Sequence, residues 1–425
     1  MTKINLSYRS ILFFLLGLYT VLPDYFKIVG QNSALICGVL IIGIYLFRSF
    51  TGIVKLDKTV SNFCIIYLIV AGSMHIIHKE WTQAIRVLLE NCIILLIVYR
   101  LIRTKEDYQR LIKSVVRFAV FEALTTFVHF FGDFNVFSLI QSANLPAYSL
   151  ESTTQYRNGM VRVEGSFGHA ITFAIYISIC ACLCLYIYNT EKKKKYLVYY
   201  FICVASLLMS ISRMPILVFL ASQFIYLMSI NYKKTLNIIF KILMIAVPLI
   251  IIMTLIMPKM FSMLMQIVNL VIDVFSVTGL SGLTSYEYDS AFTYRAEMIR
   301  VLPELIKEKP LFGIGGESYR SPSFYFLING TKQTSIDNEY FHHLLLYGFW
   351  GLAGLLWWIF GSVFWDKSPK DKAPKEKTLR LYKILIIFVY AVNLFSVAMM
   401  FEYKLIIVLF AIFLADIRIR KSEVI

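Results

Sequence analysis

Arginines at the ends of apolar stretches are the residues best suited to hold an anion. Arg162 precedes an apolar run, Arg213 lies between two such runs, and Arg295 lies in a predicted loop helix over residues 291–309. A guanidinium group binds phosphate oxygens in a bidentate manner and stays charged in a medium of low dielectric constant. Arginines from three separate segments therefore predict a pyrophosphate site at a membrane surface. Taken singly, each arginine also fits a local ion pair or a contact with lipid headgroups.

A second chemistry, proton transfer, is indicated by the segment Asp337-Asn338-Glu339-Tyr340-Phe341-His342-His343. A positioned carboxylate can act as a general base, and we predict Asp337 for this role, with Glu164 and His343 as alternatives. Asp337 also fits the N-cap of a helix that starts there. Adjacent histidines project about 100° apart on a helix and are not expected to face one metal ion, and the seven cysteines show no metal-ligand spacing. No metal or cofactor is predicted.

The amino-acid composition indicates that the chain is a membrane protein. Of the 425 residues, 58% are hydrophobic and 16% are charged, whereas soluble domains have about 45–50% apolar and about 25% charged residues. These values exclude a disordered chain, a secreted disulfide scaffold and an ordinary cytosolic enzyme. The net charge of +16 comes from lysines and arginines clustered in short segments between apolar runs, as the positive-inside effect predicts. We therefore expect the lipid bilayer as a partner, and we do not expect a nucleic acid.

A membrane-spanning helix needs about 20 mostly apolar residues. We therefore predict an all-α polytopic membrane protein, a single integral membrane domain over residues 1–425, with both termini cytoplasmic. The chain offers about twelve such segments, near 10–26, 32–49, 59–77, 83–101, 112–131, 168–189, 196–212, 214–230, 236–257, 341–364, 381–400 and 403–418. In this topology every lysine- and arginine-rich loop lies on the cytoplasmic side.

One outer loop is much longer than the connections typical of compact proteins. It runs over residues 258–340, between the ninth and tenth predicted helices, and we expect it to form part of a cap over the active site. Within it, residues 291–309 fit a helix that a glycine turn at Leu311-Phe312-Gly313-Ile314-Gly315-Gly316 ends. The candidate residues therefore cluster at one predicted face of the membrane.

The order of these motifs resembles the O-antigen ligase and Wzy-type polysaccharide polymerase superfamily. The motifs that carry the resemblance are Arg162…Gly165-Ser-Phe-Gly-His169, Ser212-Arg213, Arg295…Pro310-Leu-Phe-Gly-Ile-Gly315 and Asp337-Asn-Glu-Tyr340…Gly348…Gly351. The resemblance covers roughly residues 155–365 by motif and the whole chain by topology.

The resemblance implies a glycan transferase at the outer face of the bacterial plasma membrane that needs no metal. Such enzymes take a saccharide from a polyprenyl-pyrophosphate carrier and transfer it to a hydroxyl group, while arginines neutralise the leaving group. Ligases of this kind have a histidine just before Asn-Glu-Tyr, where this chain has Asp337. That departure favours polymerisation of lipid-linked oligosaccharide repeat units over ligation of finished glycan to another acceptor. A chain-length regulator protein is a partner implied only by resemblance.

A flippase or transporter of lipid-linked sugars is the alternative from another class of protein. It predicts repeated halves and ionisable residues near the middle of the bilayer, and we find no convincing repeat. The best candidates near the middle of the bilayer are few: Glu122, and Glu90, which faces Arg86 at i,i+4. That spacing indicates a structural pair that neutralises itself.

Overall fold

The structure is a computed structural model with side chains. It describes residues 8–22, 27–28, 31–49, 58–140, 156–157, 160–230, 298–321, 324–328, 331–333, 336–364, 366, 378–397 and 404–422. Arg295 and the predicted segment 236–257 lie outside these residues, as does most of the long loop before residue 298.

Up to residue 230 the described chain is a series of helices joined mostly by short connections. Two of them contain π-helical turns, Leu68–Gly72 in α3 and Val87–Ile93 in α4. The helices are α1 (Tyr8–Tyr19), α2 (Ser33–Ser49), α3 (Lys58–Tyr67 continuing through Ser73–Ile77), α4 (Trp81–Arg86 continuing through Ile94–Leu101), α5 (Lys105–Gly132), α6 (Ala170–Glu191), α7 (Lys194–Met209) and α8 (Arg213–Ile230).

The described chain after residue 298 contains a short loop helix and then long apolar helices. These elements are α9 (298–306), α10 (Gly316–Arg320), α11 (Glu339–Phe364), α12 (Leu379–Asn393) and α13 (Lys404–Ser422). The loop helix α9 ends at 306 rather than at the predicted 309, although Gly313 N–H does donate to Lys309 O at 2.8 Å in the turn that follows.

Three short antiparallel hairpins interrupt the helical architecture, a feature that the all-α prediction did not include. Each strand has two or three residues, too few for an independent sheet. The strand pairs are β1–β2 (Lys27–Ile28 with Gln31–Asn32), β3–β4 (Tyr156–Arg157 with Met160–Val161) and β5–β6 (Phe326–Ile328 with Thr331–Gln333).

Four described helices are long and apolar enough to cross a membrane: Val60–Ile77, Ala170–Glu191, Arg213–Ile230 and Glu339–Phe364. They coincide with predicted segments, so the mainly α-helical membrane class is confirmed. The other predicted segments within the described residues are also largely helical, while the number of twelve crossings stays a prediction. The weakest prediction, two helices joined by a tight turn around Arg213, agrees with the described end of α7 and start of α8.

The core is built around two helices, α6 and α13, which other helices bury over most of their surface. Helix α6 is apolar on all sides, as is typical of a buried helix, whereas α13 carries charged residues in its last turns. Helix α6 packs against α5, α7 and α12, and α13 packs against α4, α11 and α12. Every residue of α13 from Leu405 to Ile417 is buried. The buried start of α6 places the preceding loop, which carries Arg162 and Glu164, at one end of the bundle.

Candidate active site

Arg162 is held against the turn between α7 and α8. Its Nη2 donates to Ser212 Oγ at 3.3 Å, and its Nε donates to Ser210 O at 3.5 Å. Val163 fixes the same loop, because its N–H donates to Met209 O at 3.4 Å. Burial and the neighbouring charge of Arg213 lower the pKa of Arg162, against the opposing effect of Glu164. A guanidinium group nevertheless remains charged in proteins, so the turn between α7 and α8 brings two cations together.

Glu164 is buried beside this pair of arginines. Asn135 Nδ2 donates to Glu164 Oε1 at 3.5 Å and to Gly165 O at 3.1 Å. Burial raises the pKa of Glu164 to about 7, although Asn135 and the charge of Arg162 act in the opposite direction. A carboxyl group with that pKa can both accept and release a proton near neutral pH.

Glu122 on α5 holds the backbone of the loop from within. Its Oε2 accepts the N–H of Ser166 at 3.2 Å, and Ser166 Oγ donates to Val21 O at 2.8 Å. Gly165 has a φ of +55°, and a Cβ there would lie 2.7 Å from Glu122 Oε2. The backbone at Gly165 therefore lies too close to Glu122 for a side chain to fit between them. Through these contacts Glu122 positions the loop.

His169 stands at the N-cap of α6 and connects the two parts of the site electrostatically. Its ring Nδ1 lies 3.4 Å from Thr172 Oγ1. Burial and the charge of Arg162 lower the pKa of His169, while the negative charge of Asp337 raises it. Asp337 thus lies close enough to act on the same histidine as Arg162. The sequence motif contained His169, but no role was predicted for it.

At the start of α11, the residue that caps the helix is not the residue predicted as the general base. Asn338, not Asp337, caps the helix, because Asn338 Oδ1 accepts the N–H of Phe341 at 3.1 Å. The preceding Ile336 N–H donates to Tyr319 Oη at 3.2 Å. Asp337 is exposed between these two contacts. This corrects the alternative in which Asp337 served as the N-cap.

His343 lies one turn further along α11 and is buried against a carboxylate. Its Nδ1 is 2.9 Å from Glu339 Oε1, with both side chains at most 5% exposed. The ring of His342 contacts that of Tyr319 edge-on, with centroids 5.1 Å apart. Among the described residues, Glu339, His342 and His343 form a group whose ligand atoms all lie within 4.8 Å of one another. The adjacency of the two histidines did not predict this geometry.

The glycine-rich motif after α9 packs against α11 at the point where Gly348 interrupts that helix. Gly348 interrupts the helix with φ 65° and ψ −163°. Phe349 N–H donates to Pro310 O at 2.9 Å, and Gly315 N–H donates to Leu346 O at 2.9 Å. A Cβ on Gly313 or on Gly348 would lie 2.3 Å from backbone of the other segment. Glycine is therefore required at both positions by a backbone-to-backbone contact, which we call the glycine clasp.

Glu80, in the short turn between α3 and α4, secures the glycine clasp from the opposite side. Its carboxylate accepts hydrogen bonds from His75 Nδ1 at 2.8 Å, from Tyr347 Oη at 3.1 Å and from the N–H of Gly316. Burial opposes ionisation, yet the hydrogen bonds from His75 and Gly316 dominate and lower the pKa of Glu80. His78 Nε2 lies 2.6 Å from Phe312 O. Sequence reasoning missed Glu80 and His78, whose partners Gly316, Tyr347 and Phe312 lie more than 230 positions away.

Comparison with known families agrees with this geometry. Residues 198–356 match the family model of O-antigen ligases. The matched region, less than half of the chain, includes Arg213, the glycine clasp and the start of α11 with Asp337. No curated protein matches the chain.

The resemblance to the O-antigen ligase and Wzy superfamily is thereby confirmed. It supports a membrane glycan-transferring activity of the ligase or polymerase kind. Of the predicted site residues, the structure brings Arg162, Glu164 and Arg213 together and places Asp337 near His169, which neighbours Arg162. His343 lies deeper, against Glu339. Arg295 lies outside the described residues, so its place in the site stays a prediction.

Proposed function

We propose that this protein polymerises a polysaccharide from lipid-linked repeat units at the outer face of the bacterial plasma membrane. The donor is a growing glycan on a polyprenyl-pyrophosphate carrier, and the acceptor is a sugar hydroxyl group of the next lipid-linked unit. Both termini of the enzyme are cytoplasmic, and the loop over residues 258–340 caps the site. A chain-length regulator protein is the partner we expect for such a polymerase.

The observation that carries the proposal is the pairing of Arg162 and Arg213 around one turn. Arg162 donates to Ser212 Oγ and to Ser210 O in this turn, and the charge of Arg213 acts on the same guanidinium group. Two cations at one end of a membrane bundle suit a dianionic pyrophosphate. Arg295 is the third arginine we assign to this clamp.

In the reaction we propose, the acceptor oxygen bonds to the anomeric carbon of the donor while the bond from that carbon to the pyrophosphate oxygen breaks. The acceptor proton passes to Asp337, and the electron pair leaves with the pyrophosphate. Negative charge grows on the leaving group in the transition state, where preorganised cations are most effective. The arginines supply that charge, so transfer should not require a metal ion.

Asp337 is the favoured base because it is an exposed carboxylate within electrostatic reach of His169, which neighbours Arg162. Glu164 is the second candidate, and its pKa of about 7 suits proton exchange. His343 is the third, but it already contacts Glu339 and would have to leave that buried contact to reach a substrate.

The test uses the full-length protein in lipid nanodiscs with a lipid-linked oligosaccharide and EDTA, with products resolved by size. A polymerase makes a ladder of extended lipid-linked chains. Removing one transition-state contact typically lowers the rate by about 10²–10³, which we expect for Arg162→Ala and Arg213→Ala. The matched control is Arg300→Ala, an exposed arginine on α9, which should keep the ladder.

Asp337→Asn tests the base. Loss of the ladder with unchanged carrier binding supports Asp337, and full activity transfers the role to Glu164 or His343. A single transfer that appears only when a different glycan acceptor is added would favour the ligase. Movement of the intact lipid across a vesicle bilayer, without any new glycosidic bond, would overturn both enzyme functions.

A further inference from the structure

The first turn of α11 carries three side chains that can ligate a cation. Glu339, His342 and His343 stand at positions i, i+3 and i+4, which share one side of a helix. Each supplies one ligand atom, and the three atoms lie within 4.8 Å of one another. Of these three residues, the proposed transfer reaction names only His343, as its third candidate base after Asp337 and Glu164.

Two of the polar atoms in this group are buried without a hydrogen-bond partner among the described residues. They are Glu339 Oε2 and His342 Nδ1. Glu339 as a whole is only 1% exposed. Burying a carboxylate oxygen without a partner carries a desolvation cost, and native structures contain few such atoms. A cation at this point would satisfy both atoms at once.

The surrounding rings already orient the ligands. Tyr319 contacts the ring of His342 at 5.1 Å between centroids, and Tyr347 contacts that of His343 at 5.7 Å. Tyr347 is in turn held by Glu80. Partners of this kind set ring orientation at metal sites.

The donor set selects the kind of ion. Two imidazole nitrogens and one carboxylate oxygen suit zinc and similar transition metals, whereas Mg²⁺ and Ca²⁺ prefer oxygen ligands. In a tetrahedral zinc site with bonds of about 2.0–2.1 Å, the ligand atoms lie about 3.3–3.4 Å apart. The group, with all its ligand atoms within 4.8 Å, therefore needs to contract by at most about 1.5 Å, which rotation of the side chains can provide.

We propose that Glu339, His342 and His343 form a three-ligand site for Zn²⁺ or a chemically similar divalent transition metal. A water molecule takes the fourth position. The site goes beyond the proposed function, because the arginines and not this ion face the pyrophosphate. Its ion holds the first turn of α11, next to Asp337.

The test measures metal binding directly on the full-length protein in nanodiscs, with any affinity tag removed and all metal stripped by chelator. Co²⁺ is titrated and its visible absorption followed, and Zn²⁺ is used to displace it. We expect one Co²⁺ per chain with the intense absorption of a four-coordinate site, abolished by Zn²⁺. Glu339→Gln and His342→Ala should each weaken binding by at least about tenfold. His169→Ala, a histidine outside the group, is the matched control and should bind normally.

A second readout protects against variants that fail to fold. Zn²⁺ should raise the Tm of the wild type, as a ligand of the folded state does, and should not raise that of Glu339→Gln. Absence of Co²⁺ binding by the wild type, or unchanged binding by both variants, would overturn the site. Glycan transfer in EDTA is measured on the same samples, so a failure of the metal site is distinguishable from a failure of the polymerase.

Discussion

Two buried groups of charges lie at opposite ends of α11 and α12, and they are built differently. At the end away from Asp337, two cations each contact carboxylates. Asp366 Oδ2 lies 2.5 Å from Lys383 Nζ and 2.9 Å from Arg420 Nη2, and Arg420 Nε lies 2.9 Å from Asp416. We call these four residues the closed cluster; its two positive and two negative charges cancel.

At the other end, Arg162 donates hydrogen bonds to Ser210 O and Ser212 Oγ and lies near Arg213. The nearby carboxyl group of Glu164 has a pKa raised to about 7 by burial, so it offsets the arginines only in part at neutral pH. The comparison teaches that an arginine's partner decides its role. A cation that shares a buried carboxylate with a second cation supports the fold, while two arginines that meet at one turn suit an anionic ligand.

The largest effect on stability is expected from a substitution that breaks the closed cluster. Asp366→Asn leaves Lys383 and Arg420 buried without their shared carboxylate, which should cost about 3–5 kcal/mol in the free energy of unfolding. Reversible unfolding in mixed micelles measures it. The double variant Asp366→Asn/Lys383→Met should recover part of the loss. A stability equal to that of the wild type would show that the closed cluster does not support the fold.

The next effect concerns Glu164 and pH. Burial raises the pKa of Glu164 from 4.5 to about 7. Between these two pH values the unfolded chain releases the proton that the folded chain retains. The contribution of Glu164 to the free energy of unfolding therefore falls as the pH rises, and it stays constant above about pH 7. The full contribution is about 3 kcal/mol.

Glu164→Gln should remove this slope. The free energy of unfolding of the variant, followed from pH 4.5 to pH 8, should fall less steeply than that of the wild type, with Glu304→Gln on the exposed part of α9 as the control. Parallel curves for wild type and Glu164→Gln would mean that Glu164 is ionised in the folded protein.

A smaller effect, on the rate of glycan transfer, tests whether the charge or the geometry of Arg162 matters more. Arg162→Lys keeps the positive charge but loses the bidentate geometry. Transfer should slow by about tenfold, equivalent to about 1.4 kcal/mol, less than in Arg162→Ala. The measurement is initial ladder formation at saturating donor. A lysine variant as inactive as the alanine variant would show that geometry, not charge, dominates at this position.

The smallest effect is expected at the exposed pair of Arg86 and Glu90. Arg86 Nε lies 3.5 Å from Glu90 Oε1, and the Arg86 side chain is 41% exposed. A double-mutant cycle with alanine at both positions should give a coupling energy of about 0.5 kcal/mol or less. A coupling as large as that of Asp366 with Lys383 would contradict the distinction between exposed and buried charge pairs.

The positions of several candidate residues beside apolar runs were predictable, because they depend on local chemistry. The loop with Arg162 and Glu164, the turn at Arg213 and the exposed Asp337 were all identified from residue types beside apolar runs. Asn338 as the true N-cap was not, since Asp and Asn cap helices almost equally well. Glu80 and His75 were missed for a different reason: their role depends on Tyr347 and Gly316, distant in sequence.

The amino-acid sequence by itself determined that this is a helical membrane protein with its candidate chemistry beside apolar segments, because hydrophobic length and the cost of burying charge act on each segment separately. Only the tertiary structure decided which charges cancel within the fold and which arginines meet at one turn. It also decided that Gly313 and Gly348 meet where α11 breaks, and that Glu339 joins two histidines. Those outcomes depend on distances between segments, which hydrophobic patterning does not specify.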